Sequence, residues 1–311
     1  MNRTIKVGSR QSQLAMWQTK HVVNILQEKW PHYKFEIIPM KTKGDKILDV
    51  ALAKIGDKGL FTKELEIAIL NGEVDFAVHS MKDLPTVVPD GLKIAAITKR
   101  HDPRDVLISK NNCNFQLLPE GASIGTSSLR RKSQLLNVRP DLKIIDLRGN
   151  LNTRLNRLTT EDYDAIILAA AGVERLGWED KITEKLNYDI CLPAVGQGSI
   201  GIETRDNDTE IINIVREAND YASELSIRAE RALLKSLEGG CQIPIGAIGE
   251  IKNNSLKLTA MVGSLDGKII IRENLSGESS YPEELGIKLA DILKQRGADE
   301  ILNKIRQEID I

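Results

Sequence analysis

The feature that most constrains this 311-residue chain is an alternation of short apolar strand runs and amphipathic helix patterns that begins twice. The first series opens on Ile5-Lys6-Val7. After a turn at Gly8-Ser9-Arg10-Gln11-Ser12 comes a helix with Leu14, Trp17, His21, Val22, Ile25 and Leu26 on one stripe. Strands at 35–40, 75–78 and 92–97 and a helix over 62–70 continue it. The second series has Gly125 before a helix starting at Leu129, strands at 142–147 and 164–168, and a helix carrying Leu151, Leu155 and Leu158 inward. A run such as Ala165-Ile166-Ile167-Leu168 is apolar throughout, the pattern of a strand covered on both faces. Such alternation folds as α/β layers. The run 199–203, behind the glycine-rich Leu192-Pro193-Ala194-Val195-Gly196-Gln197-Gly198, is expected to return to the first domain's sheet. The last portion reads as a small α+β domain, with a hairpin around Leu265-Asp266-Gly267 and helices over 282–296 and 298–309. The expected domains are 1–98 with 199–217, then 104–193, then 221–311.

Composition narrows the function classes. Lys+Arg 43 against Asp+Glu 44 gives a net charge of -1, so no global field recruits nucleic acid or an anionic membrane. Aromatic residues are 4% of the chain, too few for stacking platforms on single-stranded nucleic acid. No apolar run approaches the ~20 residues of a membrane span, and the N-terminus lacks a signal-peptide core, so a cytoplasmic protein is expected. Cys113, Cys191 and Cys241 give no disulfide framework, and the four histidines have no metal-ligand spacing.

Several positions carry chemistry, each beside a plainer use. Cys241 follows Gly239-Gly240 at the end of a helical run (223–237) and precedes Pro244. It is either a small buried residue at a helix end or a thiol held open on a rigid turn for covalent carriage. Arg10 and Ser12 flank a helix N-terminus, which suits an anion as well as a simple capping turn. Lysines and glycines from Lys41 to Gly59 have the composition of a lid, or of a solvated loop. Asp83 and Lys82 stand at the carboxyl end of a buried strand, where open α/β sheets bind ligands, yet turn aspartates are common. Arg130-Arg131 lie in the first turn of a helix after Thr126-Ser127-Ser128, where cations oppose the helix dipole and imply an anion nearby. With Arg10, Arg148, Arg154 and Arg175 they form a set on the ligand side of two α/β units that fits a polycarboxylate.

Read together, Ser9-Arg10-Gln11-Ser12, Lys58-Gly59-Leu60-Phe61, His79-Ser80-Met81-Lys82-Asp83-Leu84-Pro85, Gly125-Thr126-Ser127-Ser128-Leu129-Arg130-Arg131, Leu147-Arg148-Gly149-Asn150, Leu192–Gly198 and Glu238-Gly239-Gly240-Cys241-Gln242-Ile243-Pro244 form an ordered set. In it the chain resembles the porphobilinogen deaminases, also called hydroxymethylbilane synthases, of tetrapyrrole biosynthesis. The match runs over nearly the whole chain; Asp57 stands where glycine is frequent in the family, and Cys113 and Cys191 lie outside the motifs. The resemblance implies two α/β domains like type II periplasmic binding proteins plus the small α+β C-terminal domain, in a monomer. It implies a transferase that joins porphobilinogen head to tail, with loss of ammonia, on a dipyrromethane cofactor held by a thioether to Cys241. Asp83 and Lys82 become the catalytic pair. Lys82, Asp83, Thr126, Ser127, Ser128, Arg130, Arg131, Arg148 and Gly172 become cofactor-binding. Arg10, Gln11, Ser12, Arg148, Arg154, Arg175 and Gln197 become substrate-binding, and Lys58 and Phe61 belong to the lid. Two competing expectations are a non-catalytic anion-binding module of the same fold, which needs neither Asp83 nor Cys241, and nucleic-acid binding through Arg130-Arg131-Lys132. The net charge and scarce aromatics weigh against the latter.

Overall fold

A computed structural model describes residues 3–46, 59–238 and 243–309. Lys58 and Cys241 lie outside the described residues. The described chain forms two compact units, the first from 3–46, 59–101 and 198–224, the second from 102–197 and 225–309.

The first unit is built on strands β1 (Thr4–Arg10), β2 (Lys34–Met40), β3 (Phe76–Ser80), β4 (Leu92–Ile97) and β10 (Ile200–Arg205), in the order β2-β1-β3-β10-β4. β1 runs parallel to β2 and β3, whereas β10 is antiparallel to both its neighbours. The 199–203 run therefore returns to this sheet, as its position implied. Helix α1 (Gln13–Lys29) starts where the Ser12 hydroxyl accepts a hydrogen bond from the Ala15 N–H at 3.3 Å. The side-chain period of two then divides the sheet. Phe76 and Val78 pack with Ile5, Val7, Val22 and Leu26 on the α1 side. Ala77 packs with Leu65, Ala68 and Ile69 of α2 (Lys63–Leu70) on the other.

The second unit holds a sheet of β5 (Asp105–Ser109), β6 (Ser123–Gly125), β7 (Lys143–Ile145), β8 (Ala165–Ala169) and β9 (Glu184–Lys185), in the order β7-β6-β8-β5-β9. β6 is parallel to β7 and β8, and β5 is antiparallel to β8 and β9. In each sheet three consecutive parallel strands lie in the order second, first, third, with one antiparallel strand next to the third. Helices α3 (Leu129–Val138), α4 (Leu151–Thr160) and α5 (Ala170–Arg175) follow the strands of this sheet. β5 was not foreseen, because Val106-Leu107-Ile108 is too short a run for periodicity to separate from a linker.

The remainder of this unit is a three-stranded antiparallel sheet, β11 (Ile245–Lys252), β12 (Ser255–Gly263) and β13 (Ile270–Glu278). The sequence reading found the β12–β13 hairpin and missed β11. Gly246 and Gly249 weaken the strand signal there. They are required by close neighbours: a Cβ on Gly249 would lie 3.0 Å from the Ser226 carbonyl oxygen, and one on Gly246 3.0 Å from that of Leu192. Helix α6 (Thr209–Val215) belongs to the first unit, and α7 (Tyr221–Ser236) leads into the second. α7, α8 (Pro282–Gln295) and α9 (Ala298–Ile309) cover the small sheet, with Leu233, Leu285, Leu289, Leu293 and Leu302 of the helices in one core with Leu258 of β12.

α8 crosses α7 at Gly286, where an added Cβ would collide with the Ala229 carbonyl oxygen and lie 2.9 Å from the Leu233 nitrogen. Gly286→Ala is therefore expected to destabilise the protein by about 1–3 kcal/mol despite alanine's better helix propensity. Urea unfolding checks this, and an unchanged midpoint would show that the helices part without cost.

Candidate functional site

In the first unit the carboxyl ends of parallel β1, β2 and β3 share one edge. β1 ends in Arg10, with Gln11 and Ser12 next. β3 ends in Ser80 and passes into a single 3-10 turn, Met81–Asp83. That turn is fixed from two directions. The Gln18 amide on α1 donates to the Ser80 hydroxyl at 2.9 Å, and the Met81 N–H donates to the Ser199 carbonyl at 3.0 Å. Asp83 is half-buried, and its carboxylate makes no hydrogen bond or ion pair among the described residues. Phe61 comes to the same edge, its ring centroid 4.3 Å from the Arg10 guanidinium carbon.

Under this edge lies a buried group of titratable side chains drawn from three elements that are remote in sequence. His79 Nε2 and Glu203 Oε2 are 3.0 Å apart with both side chains nearly inaccessible. Neither atom finds an aligned hydrogen bond among the described residues. Glu66 of α2 is buried beside them. Burial pushes its carboxyl above the ordinary value, and the nearby Glu203 adds to the shift while His79 opposes it.

In the second unit the carboxyl ends of β6, β7 and β8 likewise gather Thr126, Ser127, Ser128, Arg148, Gly172 and Arg175, with Arg154 on α4. Ser128 caps α3 and Asn150 caps α4. Reversed β5 begins at this edge, pairing Asp105 with Ala169. Asp105 is the anion that two arginines at a helix N-terminus demand. Its carboxylate accepts from Arg130 Nη1 at 2.7 Å and from Arg131 Nη2 at 2.7 Å, and all three side chains are buried. Arg131 also donates to the Ile167 carbonyl, and Arg130 to that of Leu192. Gln197 donates to Asp105 at 3.0 Å and to the Pro103 carbonyl at 2.7 Å. Burial alone would raise the Asp105 carboxyl, but the two guanidiniums hold it well below the usual carboxylate range.

Cys191 is part of the same network. Burial first, and then Asp105, push its thiol up to about 12, so it stays protonated and donates to Asp105 at 3.3 Å. One carboxylate against two guanidiniums leaves an excess of one positive charge. Arg130 uses only Nη1 in these contacts, which keeps its Nε and Nη2 hydrogens for another acceptor. Arg175 is buried, and burial lowers it to about 10, partly offset by Glu174. A guanidinium in that condition is stabilised by an anion brought beside it. Hydroxyls and guanidiniums in this arrangement fit a ligand whose charges are carboxylates.

Known proteins match this chain over nearly its whole length. The family model described as porphobilinogen deaminase, dipyrromethane cofactor binding domain, matches residues 5–213, and that of the porphobilinogen deaminase C-terminal domain matches 224–295. The porphobilinogen deaminase of Carboxydothermus hydrogenoformans is 59% identical over 99% of this chain and 99% of its own length. That of Bacillus subtilis is 51% identical over 100% and 99%. Among solved structures, the periplasmic VFT2 domain of Bordetella pertussis BvgS is 16% identical, with a TM-score of 0.41 over 69% of this chain and 86% of that one.

Two variants test the electrostatics. A folded carboxyl whose pKa is raised binds more protons than the unfolded one, so its contribution is full at acid pH and is lost as pH rises through the raised value. Glu66→Gln should accordingly melt higher than the parent at pH 7.5, with the difference vanishing near pH 4; equal shifts at both pH values would contradict it. Asp105→Asn removes the anion from two buried guanidiniums and should cost about 3–5 kcal/mol in denaturant unfolding at neutral pH. A loss under 1 kcal/mol would show that the backbone carbonyls suffice.

Proposed function

The chain belongs to the porphobilinogen deaminase family, and on that premise we propose a residue-level account of its reaction. The protein is a transferase that joins porphobilinogen units head to tail into hydroxymethylbilane, a linear tetrapyrrole, with release of ammonia. Its cofactor is dipyrromethane, which when bound supplies the pyrrole carbon to which the first substrate unit is joined.

In our reading Asp83 is the catalytic carboxylate. Departure of ammonia from porphobilinogen leaves a methylene-pyrrole cation conjugated with the ring nitrogen. A carboxylate beside that nitrogen stabilises the charge as it develops and can hold or return the pyrrole proton. The observation that carries the assignment is the turn itself: Asp83 sits half-buried at the carboxyl end of β3, on backbone fixed through Ser80 and Met81. Such a group costs little reorganisation when charge appears. Lys82 adds a cation on the same turn for a ligand carboxylate.

Arg10, Gln11 and Ser12 take substrate carboxylates in the first unit, and Arg148, Arg154 and Arg175 do so in the second; Gln197, expected on substrate, instead has its amide on Asp105 and the Pro103 carbonyl and serves the site through Asp105. Thr126, Ser127, Ser128, Arg130, Arg131, Arg148 and Gly172, together with Lys82 and Asp83, hold the cofactor. Lys58 and Phe61 serve as lid residues. A thioether to Cys241 anchors the cofactor. The attacking species for such a bond is a thiolate, which the buried, protonated Cys191 disfavours. The same reading divides the chain at 1–98 with 199–217, 104–193 and 221–311, and takes the protein as a cytoplasmic monomer without nucleic-acid or membrane partners. Among the described residues no helix is long and apolar enough to cross a membrane.

The test joins mass and turnover. The denatured protein should weigh more than its chain by two linked pyrroles, with the addition on the Cys241 peptide and absent in Cys241→Ser. Asp83→Ala should fold and load normally while losing at least about 10²-fold in kcat. A bare chain after incubation with porphobilinogen, without ammonia release, would favour an anion-binding module instead. Parent-like turnover in Asp83→Ala would remove Asp83 from the chemistry.

A further inference from the structure

Phe61 is held in a way that a solvated loop residue has no need of. Its ring lies 4.3 Å from the Arg10 guanidinium carbon, within the range of a cation–π contact. The same ring lies against Gly44, where a Cβ would collide with ring atoms Cδ1 and Cε1. The Gly44 N–H donates to the Leu60 carbonyl at 2.9 Å, so the backbone beside the ring is tied to the backbone that receives it. Glycine at 44 thus admits the ring, and the ring in turn meets Arg10.

The geometry suits the chemistry of a guanidinium. All five of its N–H groups lie in the guanidinium plane and point outward, whereas its faces carry none. An aromatic ring that occupies a face leaves the in-plane fork in the orientation a carboxylate accepts bidentately. Without such a contact, an arginine at the end of a strand must give up most of its rotamer freedom when the ligand arrives.

We propose that Phe61 is a positioning residue for substrate binding: seated on Gly44 and in cation–π contact with Arg10, its ring takes a face of the guanidinium and so fixes the fork that receives a carboxylate of the incoming porphobilinogen. Phe61 and Gly44 therefore set substrate affinity through Arg10. This rests on the reading of Arg10 as a substrate-binding residue given above.

The experiment measures kcat and KM for porphobilinogen on loaded enzyme. Phe61→Leu keeps bulk but loses the π face, and should raise KM by roughly 2- to 30-fold with kcat within about twofold. Gly44→Ala, which displaces the ring without altering it, should do the same. Phe61→Tyr, which retains the face, should keep the parent KM. Arg10→Gln should raise KM at least as far, and adding Phe61→Leu in that background should change KM by less than about twofold. Independent effects in the double variant would overturn the proposal, because Phe61 would then act on substrate directly. So would a Phe61→Tyr variant as impaired as Phe61→Leu, or a Phe61→Leu variant with the parent KM. An unchanged KM in Arg10→Gln alone would instead refute the assignment of Arg10, and the positioning role with it.

Discussion

Asp105 bears the heaviest electrostatic load among the described residues of the second unit. Placing two guanidiniums inside a fold costs several kcal/mol each unless an anion and further acceptors are at hand. Asp105 lies in the interior with them, and the Ile167 and Leu192 carbonyls take remaining N–H groups. One carboxylate thereby ties together the first residue of β5, the strand β8 beside it, the first turn of α3 and the loop from Cys191 to Gln197. Its attachment makes the reversed strand β5 part of the ligand-side edge rather than a mere link.

Both five-stranded sheets apply the same principle to different ends. Parallel strands bring their carboxyl ends to one edge, and helices starting there offer N–H groups and caps to anions. In the first unit that edge holds a carboxylate on a short turn and an arginine in cation–π contact with Phe61. In the second it holds guanidiniums and hydroxyls with a surplus of positive charge. A reaction that builds a polyanionic pyrrole chain through cationic intermediates needs both kinds of group: fixed cations for the acetates and propionates, and a carboxylate where positive charge appears.

Much of this was legible locally. Ser12 caps α1, the 199–203 run enters the first sheet, and Lys82 and Asp83 follow β3, because caps, apolar runs and turns are encoded within a few residues. The two arginines at the start of α3 were also informative, since a dipole opposed by cations requires an anion. Their first partner, though, is Asp105, 25 and 26 residues back on another strand. Gln197, expected on substrate, has its amide on Asp105 and Pro103. β11 was obscured because its glycines answer to Ser226 and Leu192, which are distant in sequence.

The sequence by itself determined the α/β class, the family, and the types of group that bind and react, since these depend on periodicity and on ordered local motifs. Only the tertiary structure decided which charges are already answered within the chain. It paired Arg130 and Arg131 with Asp105, set Glu66 and Glu203 around His79, and laid Phe61 between Gly44 and Arg10 in contact with each. The reason is physical: a charge's energy depends on its burial and on neighbours within a few ångströms, and strand order brings those neighbours from remote parts of the chain.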